Sequence, residues 1–362
     1  MIGGVIESRQ NDFKINFVSK SKIFFIKNTQ GYYITPTYSV RSGISKIINI
    51  EKPYEIIIPK YFCHKSFTKV FAKNKFKKTY YDINFKNFKP EKANLFEKLK
   101  KNKNKKILIL VNYFGLTKID DLIKTIKKLY PHIVIIYDSA HNLAEIKKSS
   151  HIADYEVFSL RKFLPLPSGG FIISKKKIDF RYSVLKEEIN LYKKASILKI
   201  KNKKNIKKND YYLKLFEKID LYKKNLKRFP NLLVFNRFDK FNLNKIFLRR
   251  KKNYNFLYFN LKNIKFISLP KKFLFNKFFS PLNFPLFIKD KDKRNSLLNF
   301  LKSKKIYCSV YWIKDDIKIK DKLNFLNSCK KNILNIPIDQ RYNTKDMKKI
   351  LLNIKYFINS NV

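Results

Sequence analysis

The stretch HIVIIYDSAHNLAEIKKSSHIADYEVFSLRKFLPLPSGGFIIS, His132 to Ser174, decides the fold. It opens on a short, nearly continuous apolar run that ends at Asp138. A helical turn follows, then a second run, DYEVFSL, and then GGFIIS. Runs of this length, apolar on both faces and bounded by turn residues, read as buried strands of a mostly parallel sheet. Ligand sites on such sheets lie beyond the carboxyl ends of the strands. The residues at those ends are Asn112, Asp138 and Ser159, with Lys162 just past the last of them.

The same alternation continues outward. YSVRSGISKIINI reads as a turn at Arg41–Gly43 followed by a helix, YEIIIPKY as a buried strand with a helical segment after it, and TYYDINF as a short strand. KKILILVNYFG reads as a central parallel strand stopped by Gly115. IDDLIKTIKKLY is a helix whose first turn carries Asp120 and Asp121, where carboxylates favour the dipole. Strands alternating with helices predict an α/β fold, a three-layer α/β/α unit around a mostly parallel sheet. Residues 183–240 are expected to form long helices. LRRKKNYNFLYFNL is a further helix. SPLNFPLFIK, KDKRNSLLNFLKSKK, IYCSVYW and IPIDQRYNTKDMKKILLNI predict a smaller α+β domain whose last helix starts at Thr344 as N-cap. The division is therefore an N-terminal arm over 1–35, a large domain over 36–240 and a small C-terminal domain over 241–362.

Composition constrains function less than it first suggests. Lys and Arg number 81 against 27 Asp and Glu, a net charge of +54. A nucleic-acid-binding protein is one reading of that excess. The excess is diffuse, however, and accompanies equally diffuse Ile, Asn, Phe and Tyr, the residues that A/T-rich codons encode. Charged runs such as Lys98–Lys106 then read as solvated faces, and no specific nucleic-acid partner is expected. Cys63, Cys308 and Cys329 are far apart and outside CxxC spacing, which predicts neither a disulfide framework nor a metal site and suits a reducing cytoplasm. No run of about 18 apolar residues predicts a membrane span, and the first residues do not read as a signal peptide.

Glycine carries more information. Average usage is about 7%, whereas this chain has 7 in 362 residues. Survivors such as Gly43, Gly169 and Gly170 are expected where a Cβ is not tolerated or backbone approaches a ligand.

No GxGxxG, P-loop, HExxH or GxSxG is present. What remains is a set of parts: Ser42-Gly43 opening a helix, whose backbone N–H groups suit a phosphate; Asp138 ending a strand; His141 three residues later; Ser159 ending the next strand; and Lys162 three residues after it. Each has an ordinary structural reading as cap, packing group, turn or surface cation. Together they meet the needs of pyridoxal 5′-phosphate (PLP): an amine for a Schiff base, a carboxylate to keep the pyridine nitrogen protonated, and a phosphate cradle at a helix N-terminus.

Here the chain resembles the DegT/DnrJ/StrS-type aminotransferases, fold type I PLP enzymes that aminate nucleotide-linked keto-sugars. The matching stretches are RSGISKII, IIIPKYFC, YYDIN, ILVNYFG, IVIIYDSAHNL, ADYEVFSLRKFLPLPSGGFII, IYCSVYW and IPIDQRYNTKDM. The resemblance implies that Lys162 forms the internal aldimine, Asp138 pairs with the pyridinium and His141 lies by the ring or its O3′. It further implies that Ser159 and the backbone of Ser42, Gly43 and Ile44 bind the phosphate. PKYFC is implied to pass over the ring, where the family places an aromatic side chain; here that position is Cys63, with Phe62 and His64 beside it. By the same resemblance the amino donor is glutamate, the acceptor a keto-sugar nucleotide, the setting surface polysaccharide synthesis and the assembly a homodimer. Retention of the lysine favours transamination over dehydration. Two departures stand out. Ser159 and Lys162 are closer in sequence than in typical sugar aminotransferases. The Gly- and Asn-containing loop that reaches a neighbouring subunit's phosphate is not recognisable between Ile178 and Asn209, where a lysine-rich helix is expected.

Overall fold

The computed structural model describes residues 2–7, 31–72, 76–102, 104–148, 150–204, 211–222, 225–238, 240–270, 278–288, 290–312 and 331–361. Most of the expected N-terminal arm, and Cys329, lie outside them.

In chain order the strands are β1 (Ile2–Gly3), β2 (Tyr33–Thr37), β3 (Glu55–Pro59), β4 (Lys77–Tyr81), β5 (Ile83–Asn84), β6 (Lys89–Pro90), β7 (Lys106–Val111), β8 (Val134–Asp138), β9 (Tyr155–Ser159), β10 (Gly170–Ser174), β11 (Ile267–Ser268), β12 (Phe284–Ile288), β13 (Ile306–Tyr307) and β14 (Ile333–Ile336). The helices are α1 (Val40–Glu51), α2 (His64–Ala72), α3 (Lys92–Lys100), α4 (Asp120–Leu129), α5 (Lys186–Lys204), α6 (Tyr211–Tyr222), α7 (Leu232–Phe238), α8 (Leu243–Leu261), α9 (Lys291–Ser303) and α10 (Thr344–Asn361).

Seven strands form the central sheet in the order β2-β10-β9-β8-β7-β3-β4. β9, β8, β7, β3 and β4 are mutually parallel, while β10 runs against both β9 and β2. Every residue of β3, β7, β9 and β10 is buried, so both faces of the sheet are covered, as their unbroken apolar sequences require. α1 turns Ile44, Ile47 and Ile48 into the core. Gly43 lets it approach closely: a Cβ there would sit 3.3 Å from Thr37 Cγ2 and 3.4 Å from Ile172 Cγ1.

The smaller sheet, β11-β12-β14, is antiparallel. β1 pairs in parallel with β13, and Arg341 holds the N-terminal residues through the carbonyls of Gly4 and Val5. The region expected to be helical before residue 240 carries α5, α6 and α7. The cap of α10 differs from expectation by one residue. Asn343 Oδ1 accepts from the N–H groups of Lys345 and Asp346, and Asp346 Oδ2 accepts from the N–H of Asn343. Thr344 is then the first helical residue, since the longer Asn–Asp pair satisfies donors from both ends.

Candidate active site

The strand ends converge on one cavity of about 210 Å³, lined on its polar side by Ser39, Arg41, Cys63, Asp138, His141, Ser159, Arg161 and Lys162. Asp138 ends β8 and is 6% exposed. Its Oδ1 accepts from the N–H of Ala140 at 2.9 Å, and its Oδ2 has no hydrogen-bond partner among the described residues. Burial raises its pKa against the opposing pull of Lys162.

His141 follows on the turn beyond β8. Its Nδ1 accepts from the backbone N–H of Phe114 at 3.2 Å, which leaves the ring proton on Nε2. Burial, reinforced by the Lys162 charge, pushes its pKa well below the usual histidine value. The turn is held from behind. Glu145 Oε1 accepts from Asn112 Nδ2 at 3.2 Å and Asn142 Nδ2 at 3.3 Å, and Asn142 also bonds the backbone of Phe278 and Ser280. Asn112 therefore braces the turn that carries His141 and does not line the cavity.

Lys162 sits in the loop between β9 and β10, whose neck closes through Leu160 N–H to the Gly169 carbonyl at 3.1 Å. Gly169 makes that return at a φ of 101°, a conformation that L side chains rarely adopt. The Lys162 side chain is half-buried against the cavity, and its Nζ has no hydrogen bond or ion pair among the described residues. Burial lowers its pKa, and Asp138 partly restores it.

The loop's backbone is gripped by residues that the sequence did not mark. Arg250, 1% exposed, donates to the Lys162 carbonyl at 3.3 Å and, through Nε, to Gln340 Oε1 at 2.9 Å. Gln340 Nε2 donates to the Phe163 carbonyl at 2.6 Å. Arg250 belongs to the run LRRKK, in which helical periodicity alone does not single out the buried cation.

Other sequence-derived candidates are placed differently. The N–H of Gly43 bonds the Ser39 carbonyl at 3.0 Å, and Ile44 is wholly buried. Ser42 is spent in a capping box with Ser39. The free N–H groups of α1 are thus those of Val40 and Arg41, one turn earlier, because the helix begins at Val40. Cys63 lines the cavity. Phe62 is buried against Phe67, and His64 Nε2 lies 3.2 Å from the Lys60 carbonyl, outside the lining. Tyr311 and Trp312 supply aromatic wall instead, with Trp312 within 12° of parallel to His141 at 5.8 Å between centroids. Both lie in a stretch legible as IYCSVYW, but nothing local to it reports where it packs.

The profile of the DegT/DnrJ/EryC1/StrS aminotransferase family matches residues 44–355. The chain belongs to that family. The match runs from within α1 to within α10 and takes in Asp138, His141, Ser159 and Lys162. No curated protein matches the sequence. Among solved structures similar to this family member is Spr1654 from Streptococcus pneumoniae, named as a candidate sugar aminotransferase and solved in its PLP form. It has a TM-score of 0.64 and 16% identity, with 91% of this chain and 88% of that chain covered. PseC from Helicobacter pylori, an aminotransferase involved in the biosynthesis of pseudoaminic acid, has a TM-score of 0.63 and 14% identity over 91% and 87% of the two chains. The sugar aminotransferase CalS13 from Micromonospora echinospora has a TM-score of 0.60 and 11% identity over 89% and 87%. These likenesses confirm the fold: a large, mostly parallel sheet with a smaller α+β part.

The residues present fit the family's cofactor, PLP. A carboxylate oxygen on Asp138 and an amine on Lys162, neither with a hydrogen-bond partner among the described residues, share one cavity. Two strands away from β8, on β10, Gly170 leaves a cradle that a Cβ would fill, 3.0 Å from Thr37 Oγ1 and 3.4 Å from Val40 N. Thr37 Oγ1 is buried without a hydrogen-bond partner among the described residues. Two strand spacings are roughly 10 Å, a span suited to a pyridine ring with its phosphate arm.

Proposed function

We propose that this PLP-dependent aminotransferase moves an amino group from glutamate to a keto-sugar nucleotide, in surface polysaccharide synthesis, as a cytoplasmic homodimer. The observation that carries the reading is the pairing, in one cavity, of the unpartnered Lys162 amine with the half-satisfied Asp138 carboxylate. When bound, PLP supplies an electrophilic carbon for an amine and a protonated ring that takes up developing negative charge.

The chain's own residues do the rest. Asp138 Oδ2 would accept the ring N–H, a bond that its burial makes stronger than it would be in water. Lys162 would provide the amine for covalent attachment. Its Nζ is placed to take up a proton and return it; the lowered pKa keeps a larger share of free base near neutrality. His141 presents Nε2–H as a donor at the cavity wall. Ser159 and the free N–H groups of Val40 and Arg41 suit the phosphate. Tyr311 and Trp312, packed against His141, would limit the access of water from that wall. In this reading residues 36–240 form the large PLP-binding domain, 241–362 the small C-terminal α+β domain and 1–35 an arm. No helix among the described residues is long and apolar enough to cross a membrane.

The test is reduction with borohydride after PLP addition, followed by peptide mapping, then exposure to glutamate and a panel of nucleotide-linked keto-sugars. The label is expected on Lys162, with 2-oxoglutarate released in the first half-reaction. A protein that gains no visible band with PLP, or is labelled elsewhere, overturns the reading.

A further inference from the structure

Two guanidinium groups border the cavity at its α1 end. Arg41 lies in the first turn of the helix, and Arg161 immediately precedes Lys162. The chain holds only ten arginines among its 81 basic residues, so two at one cavity are informative where two lysines would not be. Their carboxylate neighbour is a solvated one: Arg161 pairs with Asp220 at 3.8 Å, a long contact to a side chain that is 58% exposed, and the same charge only partly offsets the fall in the Arg41 pKa. Arg41 donates to the carbonyl of Ser66 at 3.3 Å and has no carboxylate partner among the described residues. With Lys162 they place three cationic side chains around the cavity, against Asp138 as the one acidic lining residue.

The two cations feel each other. Burial, and then the charge of Arg161, push the Arg41 pKa down. Holding like charges together out of bulk water costs free energy that an anion between them offsets. The same end of the cavity carries further groups, the N–H of Val40 and the Ser159 hydroxyl, and behind this lining, beside Gly170, lies Thr37 Oγ1, buried without a hydrogen bond among the described residues. Donors of this number and kind, with two rigid planar forks, match a tetrahedral phosphate better than a planar carboxylate.

We propose that Arg41 and Arg161 are the counter-charges of the cofactor's phosphate, clamping it from the cavity mouth while the α1 N-terminus and Thr37 hold its inner side. This rests on the PLP-dependent reading above. A phosphate monoester carries about −1.5 to −2 at neutral pH, which two guanidinium groups balance without a basic group from a second subunit.

The test compares PLP with pyridoxal, which lacks the phosphate. Titrations followed by the visible band are made on wild type, Arg41→Gln, Arg161→Gln and the double variant. Each single change is expected to weaken PLP by at least about tenfold and to leave pyridoxal unchanged, so that the double variant no longer prefers PLP. In wild type, inorganic phosphate is expected to compete with PLP and not with pyridoxal. Arg161→Lys keeps the charge without the fork and is expected to fall between wild type and Arg161→Gln; with phosphate competition it carries the test if a glutamine variant fails to fold. A preference for PLP that survives the double substitution, or PLP binding insensitive to phosphate, overturns the proposal alone. Wild type that binds neither compound overturns the aminotransferase reading and the proposal with it.

Discussion

The backbone N–H of Phe114 donates to Nδ1 of His141 over 3.2 Å, and the two rings lie within 25° of parallel. This contact joins the turn after β7 to the turn after β8 and settles the tautomer of the imidazole. A protonated ring would have to give up that bond, because Nδ1 would become a donor facing a donor. Burial acts in the same direction. His141 is therefore neutral at physiological pH, with Nε2–H as its single donor.

The first prediction follows from this. Nitrogen-15 spectra of labelled protein should show His141 as the Nε2–H tautomer with no titration between pH 8 and the ordinary histidine pKa. The linked stability has a definite sign. The folded pKa lies below the unfolded one, so on acidification below about 6.5 the unfolded chain takes up a proton that the fold refuses. Stability should fall with pH through that window, and His141→Asn should flatten the dependence. A shift that titrates near 6.5 sinks the assignment.

Asp138 and Lys162 hold each other's pKa values. Asp138 raises that of Lys162 against the effect of burial. Asp138→Asn should then lower it further and leave more free amine near neutrality. In cofactor-free protein, an amine-acylating reagent should modify Lys162 faster in the variant at pH 7, with the rate profile displaced to lower pH. Transamination should nonetheless fall by at least about 10²-fold, since no carboxylate remains to keep the ring protonated. Slower acylation in the variant would contradict the coupling.

Much of this site was legible because its chemistry sits where apolar runs stop. β8 and β9 announce themselves as buried strands, Asp138 and Ser159 are the polar residues that end them, and Arg161 and Lys162 follow just past the second. The start of α1 was misplaced by one turn because Ser39 and Ser42 cap each other reciprocally, and either serine reads alike in one dimension. The clamp was hidden for another reason. Arg250, Gln340 and Lys162 are brought together by the packing of α8 and the segment after β14 on the β9–β10 loop, and no local pattern encodes a contact spanning 88 or 177 residues. Trp312 was hidden in the same way.

That clamp is separable from the chemistry it supports. Gln340→Ala removes the bond to the Phe163 carbonyl and the acceptor for Arg250 Nε, and leaves every cavity-lining residue in place. It should cost roughly 1–3 kcal/mol of stability. It should also lower kcat more than it raises KM, since the Lys162 backbone loses its anchor while the substrate walls stay. Gln340→Glu, which restores an acceptor for Arg250, should recover part of the stability and little of the kcat, because it cannot donate to Phe163. Equal effects of the two changes on both quantities would show a purely structural role.

Gly43 and Gly170 are both close-packed, yet they should respond differently to alanine. At Gly43 the added Cβ meets only side-chain carbons, at 3.3 and 3.4 Å, and the helical backbone gains up to about 1 kcal/mol of propensity. Shifts of a few tenths of an ångström in Thr37 and Ile172 suffice, so Gly43→Ala should change stability by less than about 1 kcal/mol and leave PLP affinity alone. At Gly170 the Cβ would lie 2.5 Å from the Phe158 carbonyl oxygen, an atom fixed in the β9–β10 ladder. It would also crowd Thr37 Oγ1 and the Val40 N–H from 3.0 and 3.4 Å. Gly170→Ala should therefore destabilise the fold by about 2 kcal/mol or more and weaken PLP more than pyridoxal, because it fills the cradle on the phosphate side. Thermal melts and the two ligand titrations separate the cases; equal behaviour of the two variants toward PLP would remove Gly170 from the cofactor's surroundings.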